Sequence, residues 1–207
     1  MIKKHSILLI LLLLSFGFPE IIISSSASYY FRTLGINDGL SQSTVNAILQ
    51  DQKGFMWIGT KDGLNQYDGQ ECRVFQKENS SLGNNFITAL YEDCEGYIWV
   101  GTDAGVYIYN PVQEAFQFLD TEIASSGEKI TRAVTWITSD SQNNIWISVD
   151  NQGLFCYNRG KKNLTKVVSC GESGIANVTH FWFYAGQLWI ARYEDNLYFS
   201  KDNSSFN

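Results

Sequence analysis

The sequence is poor in the residues that most often form catalytic and metal sites. Only one of its two histidines, His180, lies beyond residue 27. Its four cysteines, Cys72, Cys94, Cys156 and Cys170, form no C-x-x-C pair. Zinc sites, thioredoxin-like redox chemistry and triads built on histidine therefore have little support. We expect no catalytic residue, no metal site and no cofactor. His180 is interpreted as a polar residue satisfied within an inner strand, and the cysteines as small apolar strand residues, with their disulfide state left open.

Basic residues are grouped only at the N-terminus. Lys3 and Lys4 precede an apolar run from Ile7 to Phe18, which Pro19 and Glu20 interrupt. Small residues at 25–27 then offer a cleavage position after Ala27. This layout predicts a secretory signal peptide over residues 1–27. An uncleaved membrane anchor, extended by the isoleucines at 21–23, is the alternative interpretation.

The remainder is acidic and has no second long apolar segment. Without residues 1–27 the chain has 13 basic and 20 acidic residues, a net charge of −7. No basic cluster survives, so nucleic acid is not expected as a partner. The sequence therefore predicts an exported, periplasmic protein with a soluble region over residues 28–207.

Four tryptophans mark an internal repeat. Trp57, Trp99, Trp146 and Trp189 are separated by 42, 47 and 43 residues. The first two copies, GFMWIGTKDGL and GYIWVGTDAGV, are nearly identical, the third is looser, and the fourth, FYAGQLWIARYEDNLYFS, diverges most. Periods of this length are typical of repeat architectures.

The local chemistry of each copy predicts short antiparallel strands. Asp lies six residues before the first three tryptophans, and Gly or Asn lies three before all four, which favours a turn. Aromatic and β-branched residues follow, then a second turn and another strand. Four strands in about 40 to 45 residues are typical of a β-propeller blade. We predict an all-β propeller segment of four blades, an incomplete ring, with blades at about 38–78, 79–120, 126–168 and 172–207.

The residue two positions after each tryptophan is always small. It is Gly59, Gly101, Ser148 or Ala191. A small residue there would let the neighbouring sheet approach closely. The tryptophans are accordingly interpreted as core between blades rather than as ligand platforms.

The repeat resembles the regulator propeller of periplasmic sensors in bacterial hybrid two-component systems. WD40 dipeptides and kelch double glycines are absent, and Asp lies one residue too far from Trp for an Asp-box. The match in the first two copies is carried by the repeated Asp, Gly, Trp, Gly-Thr, Gly and Tyr, at Asp51, Gly54, Trp57, Gly59, Thr60, Gly63, Tyr67 and at Asp93, Gly96, Trp99, Gly101, Thr102, Gly105, Tyr109. The fourth copy lacks the Asp and the Gly-Thr.

The resemblance implies a larger protein. Family members have further blades, a membrane helix and a histidine kinase, and they resemble sensors of oligosaccharides, so the chain is interpreted as an N-terminal fragment that does no catalysis itself. Membrane tethering and a homodimer remain open for the intact protein. The alternatives are a secreted propeller enzyme acting on glycans, a lyase or a hydrolase, and a non-functional truncated gene product. Since the end blades would each expose an apolar face, we expect low stability in isolation.

We expect a ligand site at one mouth of the central channel, where the ligands of propellers commonly enter. Loops before the inner strands and between the second and third strands build that mouth. Their amides, carboxylates, arginines and tyrosine suit sugars, through hydrogen bonds and ring stacking. The candidate ligand-binding residues are Asn85, Asp103, Arg132 and Tyr193.

Overall fold

The computed structural model describes residues 30–169, 178–184, 187–192, 197–202 and 205–206. The predicted signal peptide, Cys170 and Tyr193 lie outside these residues. Contacts divide the chain into two units, residues 1–33 and 34–207. The described part of the first unit, residues 30–33, has no regular secondary structure.

The second unit consists of four sheets, each a meander of four antiparallel strands in chain order. A short 3-10 helix at Ile36–Asp38 precedes them. Blade one contains β1 (Val45–Gln50), β2 (Met56–Thr60), β3 (Gly63–Tyr67) and β4 (Cys72–Phe75). Blade two contains β5 (Ile87–Glu92), β6 (Ile98–Thr102), β7 (Gly105–Asn110) and β8 (Ala115–Phe118). Blade three contains β9 (Val134–Ser139), β10 (Ile145–Val149), β11 (Gly153–Asn158) and β12 (Asn163–Ser169). Blade four contains β13 (Val178–Tyr184), β14 (Gln187–Arg192), β15 (Leu197–Asp202) and β16 (Ser205–Phe206). The predicted all-β propeller segment is confirmed.

The hydrophobic cores lie between blades rather than within them. One core joins residues of blades one and two, a second joins blades two and three, and a third joins blades three and four. Trp57 packs against Tyr109 of blade two, with ring centroids 5.0 Å apart, and Trp99 packs against Tyr157 of blade three at 5.6 Å. Trp57, Trp99 and Trp146 are therefore core residues between blades, as predicted, whereas half-buried Trp189 of the fourth blade stacks on Trp182 of the same blade at 6.3 Å.

The first blade has an uncovered face. Val45 is 39% exposed, whereas its repeat equivalents Ile87 and Val134 are fully buried, and Ile48 is 64% exposed. Among the described strands, the extensive contacts between blades join only successive blades. The four blades thus form an open arc and not a closed ring.

A glycine allows the close approach of blades that the sequence predicts. A Cβ at Gly59 would lie 2.5 Å from Cγ2 of Ile87, and a Cβ at Gly101 would lie 2.7 Å from Cγ1 of Val134. In blade three Ser148 occupies this position, and its hydroxyl donates to the carbonyl of Val178 in blade four at 3.1 Å. The small side chain is therefore needed where one blade meets the next.

The inner strands of all four blades carry a β-bulge near their first residue. The register shifts between Val45 and Ala47, between Ile87 and Ala89, and at the corresponding points of β9 and β13. A bulge adds one residue and interrupts the alternation of faces. This explains why the apolar residues of β5 follow a loose pattern in the sequence.

The bulged residue also links blades one and two. The Asn46 side-chain amide donates to the carbonyl of Ile87 at 2.8 Å. Thr135, the equivalent residue of blade three, donates to the carbonyl of Val178 at 3.2 Å. The bulges thus supply polar contacts between neighbouring inner strands.

The threonine of the repeated Gly-Thr closes the second turn of the first two blades. Buried Thr102 donates to the carbonyl of Gly105 at 2.9 Å and accepts the Ala104 N–H at 3.2 Å. Thr60 makes the same two bonds in blade one. The threonine therefore stabilises the turn between the second and third strands.

Candidate functional site

The loops predicted to form a binding surface do lie at one end of the blades. The Gly63 N–H donates to the carbonyl of Asn85 at 2.7 Å, and the Asp150 N–H donates to the carbonyl of Ala133 at 2.8 Å. These bonds join the turns after the second strands to the segments before the inner strands. We call this end the loop end, with residues 41–44, 61–62, 81–86, 103–104, 126–133 and 150–152.

Asn85 is held firmly within this surface. Its side-chain oxygen accepts the Lys77 N–H at 2.8 Å, and its amide nitrogen donates to Asp62 at 3.1 Å and to Glu78 at 3.2 Å. The hydrogen bond from Asn85 is the main cause that lowers the pKa of the Glu78 carboxyl. Asn85 thus joins blade one to blade two, and its part in ligand binding stays a prediction.

Asp103 pairs with a residue that sequence reasoning did not single out. Its carboxylate accepts a hydrogen bond from the Asn84 side chain at 2.7 Å. The sequence signal was present, since Asn84 lies in the predicted loop beside Asn85. Both asparagines therefore connect the segment before β5 to carboxylates of the neighbouring turns.

Arg132 is exposed on the segment before β9. It lies two residues before Val134, just as Asn85 lies two residues before Ile87, so the two are repeat equivalents. Asp103 and Tyr193 are likewise equivalents, each four residues after a tryptophan. The structure brings Asn85 and Asp103 to one end, places Arg132 at the same end, and does not describe Tyr193.

The recurring aspartates have a structural role at the opposite end. Oδ1 of Asp51 accepts the N–H groups of Lys53 and Phe55, and Oδ2 accepts the indole N–H of Trp57 at 2.8 Å. Asp93 and Asp140 repeat this pattern with Trp99 at 2.7 Å and Trp146 at 2.9 Å. The spacing of six residues therefore joins the first turn to the tryptophan of the next strand.

Blade four departs from this arrangement. Only two residues separate β13 from β14, whereas five separate the first two strands of each other blade. No Asp–Trp pair can form across so short a connection, and Phe183 packs instead against Trp146 of blade three at 5.1 Å. The sequence alignment matched the glycine three residues before Trp189 to the turn residues of the other copies, and it therefore did not reveal the shorter connection.

The structure places His180 and corrects the expectation for one cysteine. His180 lies on β13, as predicted, but it is exposed, and its ring centroid is 4.9 Å from that of Trp136 in blade three. Cys72 and Cys156 lie on strands, whereas Cys94 is exposed in the turn after β5. These three cysteines are free thiols, and burial, with the nearby Asp140 carboxylate, raises the pKa of Cys156 to about 11.

The described residues hold no group of three histidine, cysteine or carboxylate side chains with the geometry of a metal site. Within the same ranges, no helix has the length and apolarity that a membrane crossing requires.

The two-component regulator propeller family matches residues 39–62 and 81–104, in the first two blades. This chain carries regulator-propeller repeats. The matched segments contain the aspartate–tryptophan pairs Asp51–Trp57 and Asp93–Trp99 together with the first Gly-Thr turns. The hydrogen bonds described above are thus the physical basis of the regulator-propeller sequence pattern in these blades.

This chain spans only a small part of the following proteins to which it is similar. It is 40% identical over 53 residues to Histidine kinase P4 of Formosa agariphila, covering 26% of this chain and 4% of the kinase. It is 27% identical, with a TM-score of 0.72, to the extracellular domain of a putative hybrid two-component system from B. thetaiotaomicron, covering 85% of this chain and 26% of that one. A second such domain from that organism, at 20% identity and TM-score 0.65, covers 80% of this chain and 22% of its own and shows the fold alone.

Proposed function

We propose that this regulator propeller is the ligand-sensing part of an exported hybrid two-component sensor and that its ligand is an oligosaccharide. The observation that carries the proposal is the 27% identity, over 85% of this chain, to the extracellular domain of such a putative system. A membrane segment and a histidine kinase in the intact protein belong to the same proposal. The regulator propeller itself would bind and transmit, without catalysis.

The loop end is the proposed ligand surface because its residues differ from blade to blade. Two residues before each inner strand stand Ser43, Asn85 and Arg132 in blades one to three. The aspartate–tryptophan pairs at the other end repeat instead, as structural residues do. A surface that recognises one particular ligand must break the symmetry of the repeat.

The loop end also has suitable chemistry for a sugar. Amides, carboxylates and a guanidinium can pair with the many hydroxyl groups of an oligosaccharide, and Tyr193, which the sequence predicts at the same mouth, would stack on a ring. Asn85 and Asn84 fix the loops through Asp62 and Asp103. Arg132 would then be the exposed donor that contacts the ligand. Ligand binding would change how this propeller packs against other sensor domains.

A panel of oligosaccharides, assayed by differential scanning fluorimetry, tests the proposal. At least one glycan should raise the melting temperature saturably, since a ligand that binds only the folded state stabilises it. Arg132→Ala should weaken binding about 10-fold to 100-fold, the effect of losing a hydrogen bond of about 1.5–3 kcal/mol to a charged group. Lys161→Ala, an exposed cation on the turn before β12, is the matched control and should bind normally.

Each result has a clear meaning. Equal loss in both variants would place the site elsewhere than the loop end. If no glycan in the panel binds, the oligosaccharide part of the proposal is wrong. Turnover of a bound glycan would contradict a purely sensing role and favour a propeller enzyme.

A further inference from the structure

Two grooves at the end opposite the loop end are built from the same repeat positions. The groove between blades one and two has a volume of 570 Å³, and the groove between blades two and three has a volume of 500 Å³. Each is lined by the aspartate and tryptophan of one blade and by a tyrosine and a turn of the next blade. In the following equivalent pairs, the first residue lines the groove between blades one and two and the second lines the groove between blades two and three: Asp51 and Asp93, Phe55 and Tyr97, Trp57 and Trp99, Tyr109 and Tyr157, Pro111 and Arg159, and Glu114 and Lys162.

The second groove holds a guanidinium group of the chain itself. Nη1 of Arg159 lies 2.9 Å from Oδ2 of Asp93, and Nη2 lies 2.6 Å from Glu95. The guanidinium carbon is 5.9 Å from the ring centroid of Tyr97. The same Asp93 oxygen accepts the indole N–H of Trp99, and the Asp93 side chain is only 1% exposed. An aspartate already bonded to its tryptophan can therefore still bind a guanidinium from the next blade.

The first groove keeps the aspartate, the tryptophan and the aromatic ring, but it has no such arginine, and Lys53 stands where the second groove has Glu95. Pro111 stands where blade three has Arg159, and the turn keeps its backbone shape, with φ of 51° at Glu114 and 50° at the equivalent Lys162. Asp51 accepts the indole N–H of Trp57 just as Asp93 accepts that of Trp99. The position that corresponds to the Arg159 guanidinium therefore lies in an open groove.

Charge in the first groove favours a cation. Its lining has four carboxylates and two cations, Asp51, Glu92, Glu95, Glu114, Lys53 and Arg73. Arg73 is already bonded to Glu114 at 2.7 Å, and Glu95 to Arg159 at 2.6 Å, which leaves Asp51, Glu92 and Lys53. Burial is the main cause that raises the pKa of the Glu92 carboxyl; the Gln52 N–H opposes it, and the carboxylates of Asp51 and Asp93 add to it. Negative charge in this groove is therefore only partly compensated.

We propose that the groove between blades one and two binds a guanidinium group from outside the chain. The Asp51 carboxylate would receive it as Asp93 receives Arg159, with the Phe55 ring beside it in place of Tyr97. A planar guanidinium suits this position because it can bond a carboxylate and stack on a ring at once. The group could be carried by a small molecule or by an arginine side chain of a peptide. This site is separate from the proposed sugar surface at the loop end.

NMR titration of the intact protein tests the site through its tryptophan indole N–H signals. Ethylguanidine should shift the Trp57 signal saturably, since the Trp57 N–H shares its acceptor with the guanidinium. Propylamine, which has the same charge but no planar donor group, should bind at least tenfold more weakly. The proposal would be overturned if the two compounds bind with equal affinity, or if ethylguanidine causes no saturable shift.

Substitutions at the turn supply the control. Pro111→Arg should fill the groove as Arg159 fills the next one, and should weaken ethylguanidine binding at least tenfold. Gln113→Arg adds the same charge two residues away, outside the groove lining, and should change the affinity less than threefold. Unchanged binding in Pro111→Arg would show that the ligand lies elsewhere and would overturn the assignment.

The opened second groove gives an independent measurement. Arg159→Ala should let ethylguanidine shift the Trp99 signal as well, whereas the intact protein should show no such shift. If ethylguanidine does not bind a folded Arg159→Ala variant, the argument that the aspartate and tryptophan form a guanidinium site is wrong. If that variant does not fold, the Pro111→Arg result decides alone. A Gly-Arg-Gly amide that binds at least tenfold more tightly than ethylguanidine identifies a peptide source, and equal binding identifies a small molecule; both uphold the site.

Discussion

The indole nitrogen of Trp99 lies 2.7 Å from Oδ2 of Asp93, six residues earlier in the chain. Oδ1 of the same carboxylate accepts the N–H groups of Glu95 and Tyr97, and Arg159 of the next blade completes its set of partners. One side chain thus closes a turn, orients a core tryptophan and joins two blades.

Replacing Asp93 should therefore be costly. Asp93→Ala leaves the buried indole and turn N–H groups without their acceptor and leaves Arg159 without one of its two carboxylate partners. We expect a loss of about 3–5 kcal/mol, the cost of breaking a buried pair. Urea denaturation followed by tryptophan fluorescence measures it. Asp103→Ala, which removes an exposed carboxylate, should cost less than about 1 kcal/mol; equal losses would contradict this assignment.

A methyl group at Gly101 should separate blades two and three. Its Cβ would lie 2.7 Å from Cγ1 and 2.9 Å from Cβ of Val134, and that Cβ cannot move away unless the strand moves. Gly101→Ala should cost about 1–3 kcal/mol, as overpacking does. The control is Gly160→Ala, where the nearest atom is at 3.6 Å. The free energies of unfolding of both variants, measured side by side, check this; a neutral Gly101→Ala would mean that the blades are not so close.

The hydrogen bonds of the turn threonine can be tested separately from its volume. Thr102→Val removes two hydrogen bonds but keeps the volume, and blade three shows that valine is accepted there, since Val149 is its equivalent. The expected loss is about 1–2 kcal/mol, from leaving buried turn groups unpaired. Thr102→Ser retains the hydroxyl and should recover most of the loss in thermal unfolding. If serine is no better than valine, the hydroxyl does not stabilise the turn.

Asp140 should make part of the stability depend on pH. Burial by itself would raise the pKa of its carboxyl, but hydrogen bonds from Trp146 and Asn144 outweigh burial and lower it below the ordinary value. The resulting stabilisation is present above the unfolded-state pKa, about 4, and is lost as the pH falls through the lower folded-state pKa. The difference in unfolding free energy between the intact protein and Asp140→Asn should therefore shrink between pH 5 and about pH 2. A constant difference would contradict this account.

The blade repeat could be predicted from the sequence because its signals are local. The tryptophan period, the turn residues and the small residue at Gly59 each follow from contacts within a few residues or from a simple packing rule. The partner of that small residue, Ile87, is the first residue of the next inner strand. Repetition made each signal visible more than once.

Contacts across blades could not be predicted in the same way. The pattern shows Asp93 six residues before Trp99, which suggests a turn residue, but nothing local shows that Arg159 reaches the same carboxylate from the next blade. The bulge at Thr88 obscures the alternation of β5 because one extra residue reverses the faces. The roles of Asn85 and Arg132 in ligand binding remain predictions, since a ligand site breaks the repeat and leaves no second copy for comparison.

One measurement tests the central claim, a propeller that binds an oligosaccharide at its loop end without changing it. Saturation-transfer NMR of the protein with an oligosaccharide panel reports contact and chemistry together. The account predicts transfer to at least one glycan, loss of that transfer in Arg132→Ala, and an unchanged glycan spectrum after prolonged incubation. New anomeric signals from a product, or transfer that Arg132→Ala leaves intact, would contradict it.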